Sequence, residues 1–301
     1  MLYLSWCHGA GYRRADRPGR HGGRAVLPAL LLGICLAATA GACLAADDPP
    51  AHATAFPVEP GLPPSAEALF RNGHFLEAAA LAEKRNTAEG LAFAARATLM
   101  HAGYVAKGDR AVAELKRGEA LARRAVDMNP DMVEGLLELV IALGYHSRQE
   151  GYLQAHEDGY GKEAGRLIEK AMDLAPNMGW ARAAFGGWNA EIVARGGAFL
   201  GKLAYGASRK TAIQSFEKAI MLDPDNATIR VEYAKALIRM EPRHPDLDKI
   251  RAQLRAALAK PARGAVDKII QDQGRELLDA VDSGKPGGLE KVVDRLTPFE
   301  N

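Results

Sequence analysis

The chain has 301 residues, 48% hydrophobic and 25% charged, with 39 basic against 37 acidic side chains for a formal net charge of +2. The balance is uneven: residues 1–46 hold five arginines and one aspartate, so the rest carries 34 basic and 36 acidic residues, which argues against nucleic acid as a partner. All three cysteines, Cys7, Cys35 and Cys43, also fall in that first stretch. An internal disulfide, thiol catalysis and thiolate metal sites are thereby excluded from the remainder.

Arg13, Arg14, Arg17, Arg20 and Arg24 precede an apolar run, 25–46, that ends in small residues, which is the order of a secretory signal. A membrane-spanning anchor is the alternative, since the run has roughly the 20 residues a span needs. Cleavage after Leu44-Ala45-Ala46 would release a soluble product. Ala40-Gly41-Ala42-Cys43 instead resembles a lipoprotein box with Cys43 lipidated, although Ala40 stands where Leu is usual. Both endings place the protein in the periplasm or cell envelope, touching the membrane only through a lipid anchor. Residues 47–64 hold six prolines and few aliphatic side chains, and read as an extended linker.

From Ser65 onward Ala, Leu, Glu, Lys and Arg recur at spacings of three and four with almost no β-branched alternation, which predicts helices throughout. One helix ending then repeats: Ala125-Val-Asp-Met-Asn-Pro130-Asp131, Ala171-Met-Asp-Leu-Ala-Pro176-Asn177 and Ala219-Ile-Met-Leu-Asp-Pro224-Asp225. Proline forces the residue before it out of helical geometry, and the Asp or Asn after it is placed to cap the next helix. The small alanine lets a neighbouring helix approach closely.

These endings resemble those of the tetratricopeptide repeat family. A second alanine that the family prefers seven residues earlier is present at Ala164 and Ala212 and replaced by Gly118; the aromatic preferred three residues earlier is Phe216, with Ala122 and Ile168 in the other two units. Gly73-His-Phe75-Leu-Glu-Ala78 resembles the family's turn between paired helices. The resemblance implies an all-α fold, a right-handed α-α superhelix, over 65–240, followed by capping helices over 241–301. Leu247, Ile250, Leu254 and Leu258, then Val266, Ile269, Ile270, Leu277, Leu278 and Val281, form the one-sided faces of that cap. Ser283–Gly288 reads as a flexible break before a last short helix.

The period departs from the family's. Pro130 to Pro176 spans 46 residues and Pro176 to Pro224 spans 48, against about 34 in the usual unit. The excess falls twice between the first and second helix of a unit, at 148–161 and 195–207, and predicts two loops on one edge of the stack. Phe199, Leu203 and Tyr205 stand in the second, which with the following 207–219 is similar to the T component associated with TRAP transporters and to regulator-of-microtubule-dynamics-like helical proteins.

Candidate chemistry is sparse. The chain lacks a phosphate-binding Gly-Lys-Ser/Thr loop, Gly-x-Ser-x-Gly and His-Glu-x-x-His, so no catalytic residue is assigned and no cofactor is expected. His146, Glu150, His156, Glu157 and Asp158 lie within 13 positions, but no helix face fixes a ligand spacing among them, and they read as a solvated loop; no metal site is assigned. His101 reads as a packed histidine. Recognition is the stronger expectation. In the family the first helix of each unit lines the concave face, which the resemblance places at Glu134, Ile141 and Tyr145, then Trp180, Ala183, Gly187 and Glu191, then Val231, Lys235 and Arg239. Ala183, Gly187 and Ala190 form a stripe without bulk that either admits a helix or leaves a groove. Trp180 and Trp188, the only tryptophans outside the first 46 residues, are either recognition anchors or core. The reading is a scaffold for a protein or peptide; the alternative is an accessory or carrier of a small organic ligand in transport.

Overall fold

A computed structural model describes residues 65–284 and 288–300; the signal, the lipidation motif at Cys43 and the linker lie outside them. Among the described residues there are thirteen helices and no strand. They are α1 (Ala66–Arg71), α2 (Phe75–Glu83), α3 (Ala88–Tyr104), α4 (Gly108–Met128), α5 (Val133–Gln149), α6 (Tyr152–Glu157), α7 (Tyr160–Leu174), α8 (Gly179–Tyr205), α9 (Arg209–Leu222), α10 (Ala227–Met240), α11 (Leu247–Leu258), α12 (Ala265–Asp282) and α13 (Leu289–Arg295). Pairs α1/α2, α3/α4, α5/α7, α8/α9 and α10/α11 pack side by side, and each pair packs on the next.

The repeated endings act as their chemistry requires. Asn129, Ala175 and Asp223, each just before the repeat proline, have ψ of 92°, 70° and 74°, outside the helix. Their N–H groups donate to the carbonyls of Ala125, Ala171 and Ala219, so the recurring alanine receives the bond that closes the helix. The expected caps fall one residue off. The next helices start from Met132, Met178 and Asn226, and of these only Asn226 caps with its side chain, accepting from the N–H groups of Thr228 and Ile229. The chain needs a further residue to turn after proline, which leaves Asp131 one place early; it pairs with Lys170 at 3.0 Å instead.

Gly118, where the family pattern prefers alanine, has a packing cause: a β-carbon there would lie 2.6 Å from the buried Leu99 side chain. Leu99 occupies the space that the alanine methyl would need there. The last helices do more than cap. α12 packs on α11 and α10 and returns to α1, where Gly264 lies against Arg71 and Ala265 against Gly73.

The two insertions are not loops. The first forms α6, entered through Gly151 at φ 87°. The second is helical and merges into α8 across a kink at Gly197 (φ 76°, ψ 160°), and it ends where Gly206 at φ 69° donates to Gly201 and Lys202 carbonyls. Glycine permits both the kink and the stop without breaking the helix between them. The insertions meet: His156 of α6 hydrogen-bonds the Tyr205 hydroxyl at 2.5 Å, and Tyr205 stands edge-on to Trp188 at 6.2 Å.

Candidate functional site

The site lies where α5, α8 and α10 bring their inner sides together. Fifteen residues after the repeat prolines come Tyr145, Glu191 and Arg239, and all three reach this face. One helical turn beyond the first two stand Arg148 and Arg195. Glu191 is the centre of the cluster. Its carboxylate accepts from Arg148 Nε and Nη2 at 3.1 and 3.3 Å, from Arg195 Nε at 2.7 Å and from Arg239 Nη1 at 3.2 Å. Burial alone would raise the Glu191 carboxyl, but Arg148, Arg239 and Arg195 hold it well below the usual carboxylate range.

The remaining guanidinium valence goes to α13 and the residues that follow it. Glu300 accepts from Arg195 Nη2 at 2.7 Å and from Arg239 Nη2 at 2.8 Å, and Asp294 accepts from Arg239 Nη2 at 3.2 Å. Phe299 packs on Tyr145 with ring centroids 5.0 Å apart. Lys235 is fully engaged inside the chain, donating to Glu232 at 2.9 Å, to the Gln273 side-chain carbonyl at 2.7 Å and to the Leu296 carbonyl at 3.4 Å. The concave face expected to lie open is therefore covered by residues 289–300 of the same chain.

Beneath this cover is a cavity of about 120 Å³, lined among others by Ile141, Trp180, Gly187, Glu191, Lys235 and Arg239. Trp180 is 3% exposed, and its indole N–H has no hydrogen-bond partner. Trp188 is half-buried: it donates to the Gly161 carbonyl at 2.8 Å, lies against Gly165, where a β-carbon would come within 2.9 Å of its ring, and also lines the cavity.

Three of the expected concave residues stand elsewhere. Ala183 and Val231 are fully buried, Val231 against Gly274 of α12, which packs on α10. Glu134, in the first turn of α5, stands by Glu138, whose carboxyl is pushed up chiefly by burial and only in small part by Glu134. At the edge, Phe199 and Leu203 are 79% and 76% exposed, one turn apart on α8. Arg148, Arg195 and Glu300 were not singled out from the sequence. The arginines carried a signal, standing 18 and 19 residues after Pro130 and Pro176; Glu300 carried none.

The histidine and acid cluster of the first insertion divides. His146 is buried against Glu119 at 2.9 Å and Glu150 at 3.4 Å, while His156 goes to Tyr205. Among the described residues no group of three or more His, Cys, Asp and Glu side chains is arranged to hold a metal. His101 pairs with Glu114 at 2.6 Å. The His146 ring 2.9 Å away, with a hydrogen bond from Arg123, outweighs burial and lowers the Glu119 carboxyl from the ordinary 4.5 to about 2. A depressed carboxyl stabilises the fold above its unfolded value and stops doing so as pH falls through its folded value. Glu119→Gln is expected to cost on the order of 2 kcal/mol at pH 7. Urea titrations at several pH values should show the gap from wild type narrowing between about 4.5 and about 2, the range of that shift.

Paired helices, alanine and proline endings and stacked units make this a tetratricopeptide-like helical repeat protein. In fold it is similar to a thermophilic tetratricopeptide repeat protein of Thermus thermophilus, whose crystal structure matches with a TM-score of 0.50 at 19% identity over 70% of this chain and 95% of that one. No family model and no curated protein matches the chain.

Proposed function

We propose that the protein is an exported scaffold that binds a protein or peptide partner in the cell envelope through the inner face of α5, α8 and α10. The observation that carries this reading is the arginine cluster. Arg148, Arg195 and Arg239 come from three successive units and converge on one face, where a stretch of polypeptide already lies across them. Guanidinium groups at that spacing recognise carboxylates by paired hydrogen bonds. Export rests on the basic, apolar, small-residue order of 1–46. Phe199 and Leu203 supply an apolar rim for the same partner.

The test is affinity capture from an envelope fraction with tagged wild type and Arg239→Glu. Wild type is expected to retain at least one protein that the variant loses, with both showing the same helical circular dichroism. Identical captured sets would overturn the placement of the face. A second reading, carriage of a small organic ligand in transport, is favoured by the cavity and the unpartnered Trp180 indole. Native mass spectrometry of the purified protein would show a bound small molecule in that case and none in the first.

A further inference from the structure

We propose that the inner face is a receptor for a short segment that joins an aromatic side chain to a carboxylate, and that residues 297–300 of the chain are the resident occupant which such a segment displaces. The inference rests on the scaffold reading and names the chemistry of its partner.

The occupant is held as a bound peptide is held. α13 ends at Arg295, and the residues after it cross the face without helical structure beyond a turn. Side chains of the array read its main chain: Lys235 donates to the Leu296 carbonyl at 3.4 Å and Arg148 to the Pro298 carbonyl at 3.5 Å. Two side chains then anchor it. Phe299 lies on Tyr145, and Glu300 meets Arg195 through both of its oxygens at 2.7 Å. An aromatic anchor beside a charge-assisted arginine contact, here one guanidinium nitrogen shared by both carboxylate oxygens, is a pattern that gives short peptides specificity.

Charge says that the seat needs an anion. Within the cluster the array contributes three guanidinium groups, Arg148, Arg195 and Arg239, but a single carboxylate, Glu191. The excess is met by Glu300 and Asp294, both from the closing segment. Cations placed so close in a partly buried site are stable only with a counter-charge present, so departure of the segment favours entry of another carboxylate.

The resident is also an imperfect fit. Phe299 has a φ of 60°, the left-handed region that side chains rarely adopt, and its strain is part of the cost of seating Glu300. The two contacts to its carbonyls are long for hydrogen bonds. A free segment that reaches the same anchors with an unstrained backbone has the advantage over it.

The experiment uses the full chain and a fluorescein-labelled synthetic peptide of the sequence 289–300, titrated by fluorescence anisotropy. The Phe299→Ala/Glu300→Gln double variant, whose resident has lost both anchors, is expected to bind the peptide at least tenfold tighter than wild type. Adding Arg195→Glu should abolish that gain, and a peptide carrying the same two changes should not bind. Circular dichroism establishes that each variant is folded. If the double variant is not, Glu300→Gln alone is expected to show a gain of about threefold, the smaller share of losing one anchor of two. Equal binding by wild type and variant, or binding by neither, makes 289–300 a structural cap and overturns the proposal. A gain without any Arg239-dependent captured protein would leave this inference standing and sink the scaffold reading. Such a protein without the gain would do the reverse.

Discussion

Arg96→Met is expected to lower folding stability by about 3–5 kcal/mol, the usual cost of stripping one partner from a buried ion pair. Arg96 of α3 donates to Glu138 of α5 at 2.7 Å, and both side chains are almost wholly withdrawn from water. The second Glu138 oxygen is buried with no hydrogen-bond partner. Burial pushes the Glu138 carboxyl up, and Arg96 opposes it. Removing the guanidinium leaves burial unopposed, so the carboxyl rises further. A group whose folded value is raised penalises the fold above that value and ceases to do so below the unfolded one. The loss in the variant should therefore be larger at pH 8 than at pH 5, read by urea denaturation at both. Equal losses would mean that packing of the arginine stem, and not the stranded charge, sets the cost. The Arg96→Met/Glu138→Leu pair, which removes both charges, should recover most of the stability.

Phe216→Ala should cost a similar amount, about 3–5 kcal/mol, by a different route. Phe216 is buried, stacks on Tyr233 with ring centroids 5.0 Å apart, and lies so close to Gly186 that a β-carbon there would be 2.8 Å from the ring. Its truncation opens a void between α8, α9 and α10 that these backbones are already too close to fill. Phe216→Leu should cost about half as much, because most of the volume remains. Met221→Ala, on the same helix but 73% exposed, is the control and should stay within about 0.5 kcal/mol. Thermal melts of the three variants give the order; a Phe216→Ala protein as stable as the control would contradict the packing.

What the sequence made legible was local. Proline's effect on its predecessor is a property of two residues, and so Pro130, Pro176 and Pro224 ended helices where expected. Register was legible as well: Tyr145, Glu191 and Arg239 share one offset from those prolines and share one face. Capping by Asp131 was not, because the residue at which a helix starts depends on how the new helix must point, which tertiary packing decides. The Gly-rich stretch near Gly197 was misread as a loop because glycine costs a helix about 1 kcal/mol per residue, a local penalty that gives no sign of the tertiary contacts of Tyr205 with His156 and Trp188. The cover over the inner face lay beyond pattern reading. The bond from Arg148 to Pro298 joins residues 150 apart, and no periodicity marks Pro298-Phe299-Glu300. Val231 was placed on an open row for the same reason, since nothing in an array of neighbours announces that α12 comes back onto α10.

That return alters how the array holds together. An ordinary solenoid has two loose ends and loses structure from either, each unit depending only on the one beside it. Here the seam between Arg71 and Gly264 ties the first unit to the last, so fraying at one terminus must also breach the other. Adding or deleting a unit, tolerated in most stacks of this kind, would pull the seam out of alignment. The contact of α12 with α1 is a long-range link that a chain of exchangeable modules lacks, and it is expected to make unfolding of the two ends cooperative.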